Sequence, residues 1–414
     1  MKHFLISITL LLLFTACHKD DNNTTTTTAR RTVIVYVSAD NSLSGFTYGD
    51  LQEMVNGAAN TLSGDDRLVI FVDRISDTEK PFIARIKNDG KQPVDTLYKY
   101  GEDPYVSEPS VFTEVISRIT KLCPAKEYGL VLWGHGSGWC FDKDERVSSA
   151  PRRAYGVDNG NKSANGNKGL WLSIPDMRSC FEKLGFKWKF IFADCCNMMC
   201  VEVAYELRNC ADYLIGSPAE IPAYGAPYNK MVTNFFSQSE TFYADIVDTY
   251  AASYKDYLPL SAMRLSEMES LATATKAVLP AVAEHLKQGD ATATKGIIYY
   301  YSPNGRNDDV NKSMYDMNDM IRTAVGDQTD AYNAWRQAFL KAVPKYVTAP
   351  MWETMNSNTV NFRDFTVTDA KQGSVSMFFP LDKYENSSCL YKYNSDIRNM
   401  QWYEAVGWSH YMSE

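Results

Sequence analysis

No basic tract runs anywhere in this 414-residue chain, in which 50 Asp and Glu outnumber 42 Lys and Arg. A net charge of −8 leaves nothing to neutralise a phosphate backbone, so nucleic acid is excluded as a partner. No apolar run approaches the ~20 residues that a membrane-spanning helix needs. There is no Gly-rich phosphate loop, no internal repeat and no pair of Cys/His groups at zinc spacing. Cysteine is present nine times but makes no disulfide framework: a chain this long folds on its apolar core without one. Histidine is scarce, with only five in the chain. What is abundant is apolar and aromatic surface, 45% and 13% of residues, the composition of a packed globular protein.

Residues 1–16 read as an address. Lys2 and His3 precede an apolar run over 4–14 that is too short to span a bilayer and long enough for a signal-peptide core. Thr15-Ala16-Cys17 resembles a bacterial lipobox, which implies acylation of Cys17 and attachment to a membrane through it. Residues 17–31, with their Asn/Thr run, are too polar to fold and form a disordered tether. Lys19-Asp20-Asp21 resembles the surface-export signal of Bacteroidetes lipoproteins. The expected location is therefore the outer membrane, facing outward, against the alternative of an ordinary signal peptide and a merely soluble tether.

Apolar runs at 32–38, 67–72, 128–133 and 188–193 are nearly continuous, as parallel strands covered on both faces are. A shorter run at 211–215 is a further strand candidate. Amphipathic stretches at 49–62, 109–122, 174–184 and 199–209 alternate with them. The alternation predicts an α/β fold with a doubly wound, mainly parallel sheet over 32–233. From 234 to 414 the pattern weakens. Helices are expected at 240–257, 263–288, 312–325 and 330–343, with strands at 296–301 and 374–379. This region reads as a smaller α+β companion able to add strands to the main sheet. Residues 139–170 show neither period and read as a functional or cleavable loop.

Ligands bind at the carboxyl ends of strands in such sheets, so reactive side chains just past strand ends are the candidates. Two segments qualify: Gly134-His135-Gly136-Ser137-Gly138 and Asp194-Cys195-Cys196. His3 and His18 lie in the leader and tether, His285 in a helical stretch and His410 at the terminus, which leaves His135 as general base. A thiol between a strand and a helix gains acidity from the helix N-terminus and from a nearby imidazolium. The residues alone leave Cys195 and Cys196 both open. Cys196 and Cys200, spaced i, i+4, could share a metal with His135, but no further ligand pair completes a site, and no metal is expected. Ser137 lacks the strand-to-helix elbow of a serine nucleophile. Asp40, Asp73 and Asp158 would offer oxygens to a calcium ion only if their loops converge.

Two stretches carry a resemblance: Trp133-Gly134-His135-Gly136-Ser137-Gly138-Trp139, and Asp194-Cys195-Cys196-Asn197-Met198-Met199-Cys200-Val201-Glu202-Val203-Ala204. Together they resemble the clostripain family of cysteine peptidases, related to gingipains and caspases. Tyr36 to Leu43, Phe71 to Arg74 and Ser376 to Pro380 extend the likeness from about residue 31 to near the end. It implies a caspase-like fold and a cysteine endopeptidase that forms a thioester acyl-enzyme on peptide or protein substrates. No cofactor is indicated by the residues, with calcium the one left open. The spacing back from Val201-Glu202 then puts the nucleophile on Cys196, and the N–H groups of Gly136 and Cys196 would hold the oxyanion. Asp194 matches a pocket acid for Arg or Lys before the cut, with a helix cap as its alternative; Glu220 is the only acid available as a second. Relatives cut themselves between the histidine and the cysteine, and Lys143, Arg146, Arg152 and Arg153 offer sites in the 140–170 loop. The competing readings are a catalytically silent surface lipoprotein binding peptide or glycan in the same cleft, and a thiol hydrolase of non-peptide amides.

Overall fold

A computed structural model describes residues 27–59, 61–140, 154–160, 169–302, 309–354, 357–360, 364–386, 388–389 and 392–412. The leader 1–16, Cys17 and tether residues up to 26 lie outside them, as do Lys143, Arg146, Arg152 and Arg153. Residues 29–31, expected within the disordered tether, instead belong to the strand Ala29–Ala39, where Ala29 pairs with Ala125 and Arg31 with Asp66 and Glu127.

The expected parallel strands form the middle of the sheet. They are β1 (Ala29–Ala39), β2 (Asp66–Arg74), β5 (Ala125–Trp133), β8 (Phe190–Asp194) and β9 (Tyr213–Gly216), paired in the order β2-β1-β5-β8-β9. Their period-two alternation feeds two separate cores. Ile34, Tyr36, Leu130, Leu132 and Ile191 enter one; Val33, Val35, Val37, Val131 and Phe192 enter the other. Both faces are dry, which is why the runs read as continuous hydrophobicity.

Helices α2 (Pro109–Leu122) and α3 (Ile174–Leu184) cover the first face through Phe112, Val115, Ile116, Ile119, Met177 and Phe181. Helices α1 (Thr47–Ala59), α5 (Tyr228–Phe235) and α6 (Phe242–Tyr254) cover the second through Met54, Met231, Phe235, Ile246 and Tyr250. Burying each such side chain contributes roughly 1.5–3 kcal/mol. The limits of α3 are legible in its residues: Ser173 accepts the Asp176 N–H at one end, and Gly185 in the left-handed region closes the other.

Four antiparallel strands widen the sheet to nine, and none of them was expected. On one side β3 (Phe82–Ile86) and β4 (Val94–Lys99) extend β2. On the other, β10 (Leu260–Arg264) joins β9 and the strand Lys345–Val347 joins β10. Most of β4 is half-buried, so it carries no continuous apolar signal. The helix expected over 263–288 starts instead at Met268, because Leu260–Arg264 is taken up by pairing with β9. Likewise, the start of the expected 312–325 helix is the strand Ser313–Asp316, and Asp316 then caps the helix that begins at Met317. Pairing partners far along the chain override short-range periodicity in both places. The 139–170 loop also holds structure. Strand β6 (Tyr155–Asp158) pairs with β7 (Leu170–Leu172).

At the carboxyl ends of β1 and β2, Asp40, Asp73, Asp103 and Asp158 do converge. Asp73 and Asp158 are each 1% exposed. Burial, then the charges of Asp158, Asp103 and Asp40, push the Asp73 carboxyl well above its usual range. Asp158 is pushed up to about 7, mainly by burial, although the Val106 and Gly160 N–H groups hold its oxygens. Lys80 acts in the opposite sense on Asp103. Among the described residues, no group of three or more His, Cys, Asp or Glu has the geometry to hold a metal ion.

A carboxyl whose folded pKa is raised favours folding below its unfolded pKa of ~4, and this contribution is lost as pH rises through the folded value. Asp73→Asn should therefore raise the melting temperature at pH 8, by the equivalent of about 1 kcal/mol or more, and change it little at pH 4.5. Thermal melts of the two proteins at both pH values check this; equal effects at both would exclude a charge origin.

Candidate functional site

The strand order places a topological switch point between β1 and β5, since the chain leaves β1 toward β2 and returns on its other side. The candidate residues stand at the carboxyl ends on this part of the sheet. In the β5–β8 pair, Trp133 lies opposite Asp194. His135 and Cys196 each follow two residues later, so in-register pairing sets their segments side by side, strands being ~4.8 Å apart.

The two loops then press together. A Cβ added at Gly136 would meet the Cys196 carbonyl oxygen at 2.6 Å and the Cys196 nitrogen at 3.2 Å. Gly138 has φ +63°, and a Cβ there would meet the Asn197 oxygen and Cys200 Sγ at 2.7 Å each. Only glycine permits this approach and this backbone. The loop is held from the other side by β6: the Ser137 N–H donates to Ala154 O and the Gly156 N–H to His135 O, both at 2.9 Å. No hydrogen bond among the described residues takes up the Gly136 N–H.

The His135 ring makes a 2.8 Å hydrogen bond through Nε2 to Ser42 Oγ, in the turn after β1. Trp171 of β7 lies against it, ring centres 6.4 Å apart. Cys196 Sγ accepts the Ile221 N–H at 3.4 Å. Among the described cysteines Cys196 alone is not buried. Cys195 is fully buried, and burial pushes its thiol well above the usual range. Cys200 is also buried, its thiol donating to Asn197 O, and burial pushes it up too.

One expectation about this segment is corrected. The helix was expected from 199, close behind Cys196, but α4 (Val201–Glu206) begins at Val201 with Cys200 as its N-cap residue. Cys196 is thus too far from the helix start to feel its dipole, which fades within the first turn. The intervening residues pair elsewhere: the Asn197 N–H donates to Ala219 O and the Met199 N–H to Ser217 O.

Asp194 does not cap that helix either. Its carboxylate is 3% exposed and accepts from Ala226 N at 3.1 Å, Tyr228 Oη at 2.7 Å and Tyr250 Oη at 3.0 Å. It brackets the loop after β9 from beneath and offers no oxygen to the surface. Burial raises its pKa, against the lowering effect of these three donors. Glu220, half-buried, sits on that loop directly before Ile221.

Sequence reasoning did not single out Ser42, Trp171 or Tyr155. Ser42 was within a matched stretch, yet nothing local marks a serine as a partner for a histidine 93 residues away. Tyr155 Oη lies 2.8 Å from Tyr36 O and 3.1 Å from Trp133 O, tying β1 to β5 beneath the site. Glu202 explains why two distant motifs travel together: its Oε1 accepts the Phe378 N–H, while the Ser376 N–H donates to Met199 O.

The clostripain family model matches residues 35–414. A structure of a secreted C11 cysteine protease from Bacteroides thetaiotaomicron, in complex with an irreversible peptide inhibitor, is similar at 27% identity and a TM-score of 0.73, covering 92% of this chain and 100% of that one. An inactive zymogen C11 protease from Parabacteroides distasonis is similar at 26% identity and a TM-score of 0.70, covering 92% and 99%. No curated protein matches the sequence. The fold is accordingly α/β, with a large, mostly parallel sheet like that of these caspase-like proteases. The chain belongs to the clostripain family and is a cysteine-type peptidase.

Proposed function

We propose that this peptidase is an endopeptidase working through a dyad of His135 and Cys196. The observation that carries the reading is the juxtaposition of the Gly136 and Cys196 backbones by β5–β8 register, with the half-buried Cys196 Sγ beside the Ile221 N–H. In the reaction, the Cys196 thiolate attacks the scissile carbonyl carbon. The carbonyl oxygen becomes an oxyanion, held by the N–H groups of Gly136 and Cys196. Collapse breaks the C–N bond, His135 gives its proton to the leaving amine, and a thioester remains. Water, giving a proton to His135, then cleaves the thioester and returns Cys196 as thiolate.

Basic residues before the cut are the proposed preference. Asp194 supports it from beneath, by fixing the loop, and Glu220 on that loop is the carboxylate assigned to meet a cationic side chain. Self-cleavage within 140–170 is proposed as well. The relative from Parabacteroides distasonis is described as an inactive zymogen. Lys143, Arg146, Arg152 and Arg153 lie between two anchored stretches, Trp133 in β5 and Ala154–Asp158 against the His135 loop, so a cut between these stretches would leave the site's backbone held. Attachment to the outer membrane through lipidated Cys17, with the domain facing outward on its tether, completes the proposal.

An irreversible peptidyl alkylating probe with Lys or Arg at its reactive end should label the protein, Cys195→Ala should still label, and Cys196→Ala should not. Labelling of Cys196→Ala but not of Cys195→Ala would move the nucleophile, and no labelling of the folded native protein would favour a silent binding module. His135→Ala should lower kcat/KM by about 10²–10⁴-fold. Glu220→Gln should lower kcat/KM about tenfold on Arg and Lys substrates and much less on uncharged ones, measured with fluorogenic peptides. Asp194→Ala should instead cost about 3 kcal/mol of stability in denaturant melts, by leaving three buried donors without their acceptor.

A further inference from the structure

We infer that Ser42 is the positioning residue of His135, acting through the ring nitrogen that faces away from the chemistry. The inference rests on the proposed role of His135. Its basis is the 2.8 Å contact between Ser42 Oγ and His135 Nε2, which bridges the switch point between β1 and β5. Ser42 is exposed, so the contact owes nothing to burial in the core.

What fixes Ser42 is its neighbour. Asn41 Nδ2 donates to Ser38 O at 3.0 Å and to Val157 O at 2.7 Å, and Asn41 Oδ1 accepts the Leu43 N–H at 2.9 Å. The Ser44 N–H closes the turn on Asn41 O. The same strand that Asn41 grips at Val157 also donates the Gly156 N–H to His135 O. Ser42 and His135 are therefore referenced to one short piece of backbone, Gly156-Val157, and their separation is set before any substrate arrives.

The chemistry follows from which nitrogen is engaged. With Nε2–H donating to Ser42 Oγ, the tautomer that can accept a proton does so at Nδ1. Nδ1 is then the atom that exchanges the proton between the Cys196 thiol and the leaving amine. Ser42 Oγ accepts from Nε2–H in both the imidazole and the imidazolium, so the ring need not turn between the two halves of the reaction. A hydroxyl is neutral: it orients the ring and stabilises the imidazolium less than a carboxylate in the same place would.

The test compares Ser42→Ala, Ser42→Thr and His135→Ala with the native enzyme. Ser42→Ala should lower kcat about tenfold or more with KM little changed. Its pH–rate profile should show the His135 ionisation moved to lower pH, since the imidazolium loses an acceptor. Ser42→Thr, which keeps the hydroxyl, should restore most of the rate and the native profile. If His135→Ala is inactive while Ser42→Ala matches the native enzyme in kcat and in pH profile, the inference about Ser42 is overturned and the dyad stands. If His135→Ala retains native activity, the dyad reading fails and Ser42 with it.

Discussion

The site depends on one constraint, the register of β5 against β8. Trp133 faces Asp194, and everything reactive is counted from that pair. Slipping either strand by one residue would exchange its two faces, sending Leu130 and Leu132 where Val131 and Trp133 belong. Because both faces are buried, such a slip would expose or clash every side chain along the strand. Gly129 reinforces the choice, since the Phe190 ring lies over it and a Cβ there would meet the ring at 2.5 Å. Core packing thus places two loops next to each other without any interaction between their reactive atoms being required.

Buried carboxylates do the second part of the assembly. Asp194 gathers Ala226, Tyr228 and Tyr250, and so fixes the loop whose Ile221 N–H meets Cys196. Glu202 gathers Phe378, joining the C-terminal segment to α4. Asp50 accepts from the Trp133 indole at 2.6 Å, and burial together with the nearby Asp194 pushes it up to about 8. Each of these groups is costly to desolvate and is offset by its donors. They hold the loops that hold the site, which keeps the reactive groups themselves open to the cleft.

The glycines of Gly134-His135-Gly136-Ser137-Gly138 acquire a shared reason here. Gly136 and Gly138 are contact surfaces against Cys196, Asn197 and Cys200 rather than hinges. The loop is gripped on one side by β6 and on the other by the Cys195–Cys200 segment, so the His135 backbone is among the more constrained parts of the molecule. A rigid loop at a strand end is what a preorganised proton-transfer group needs.

The residues by themselves determined the parallel strands, because a strand dry on both faces must be apolar throughout. They also determined the two segments where chemistry could sit, because a histidine among glycines and paired thiols after a strand have few structural uses. Helix α3 was legible to the residue from Ser173 and Gly185, whose capping chemistry is local. The antiparallel edges were not legible, since β4 is mostly half-buried and β10 gains its identity only from pairing with β9. Neither was the fate of Asp194, whose partners lie 32 to 56 residues further along. Which of two neighbouring thiols meets solvent was likewise beyond local pattern, because burial is a property of what packs above a residue. Ser42 shows the limit most clearly. Nothing in its surroundings names His135, and only the order of strands, β1 beside β5, brings the two within a hydrogen bond.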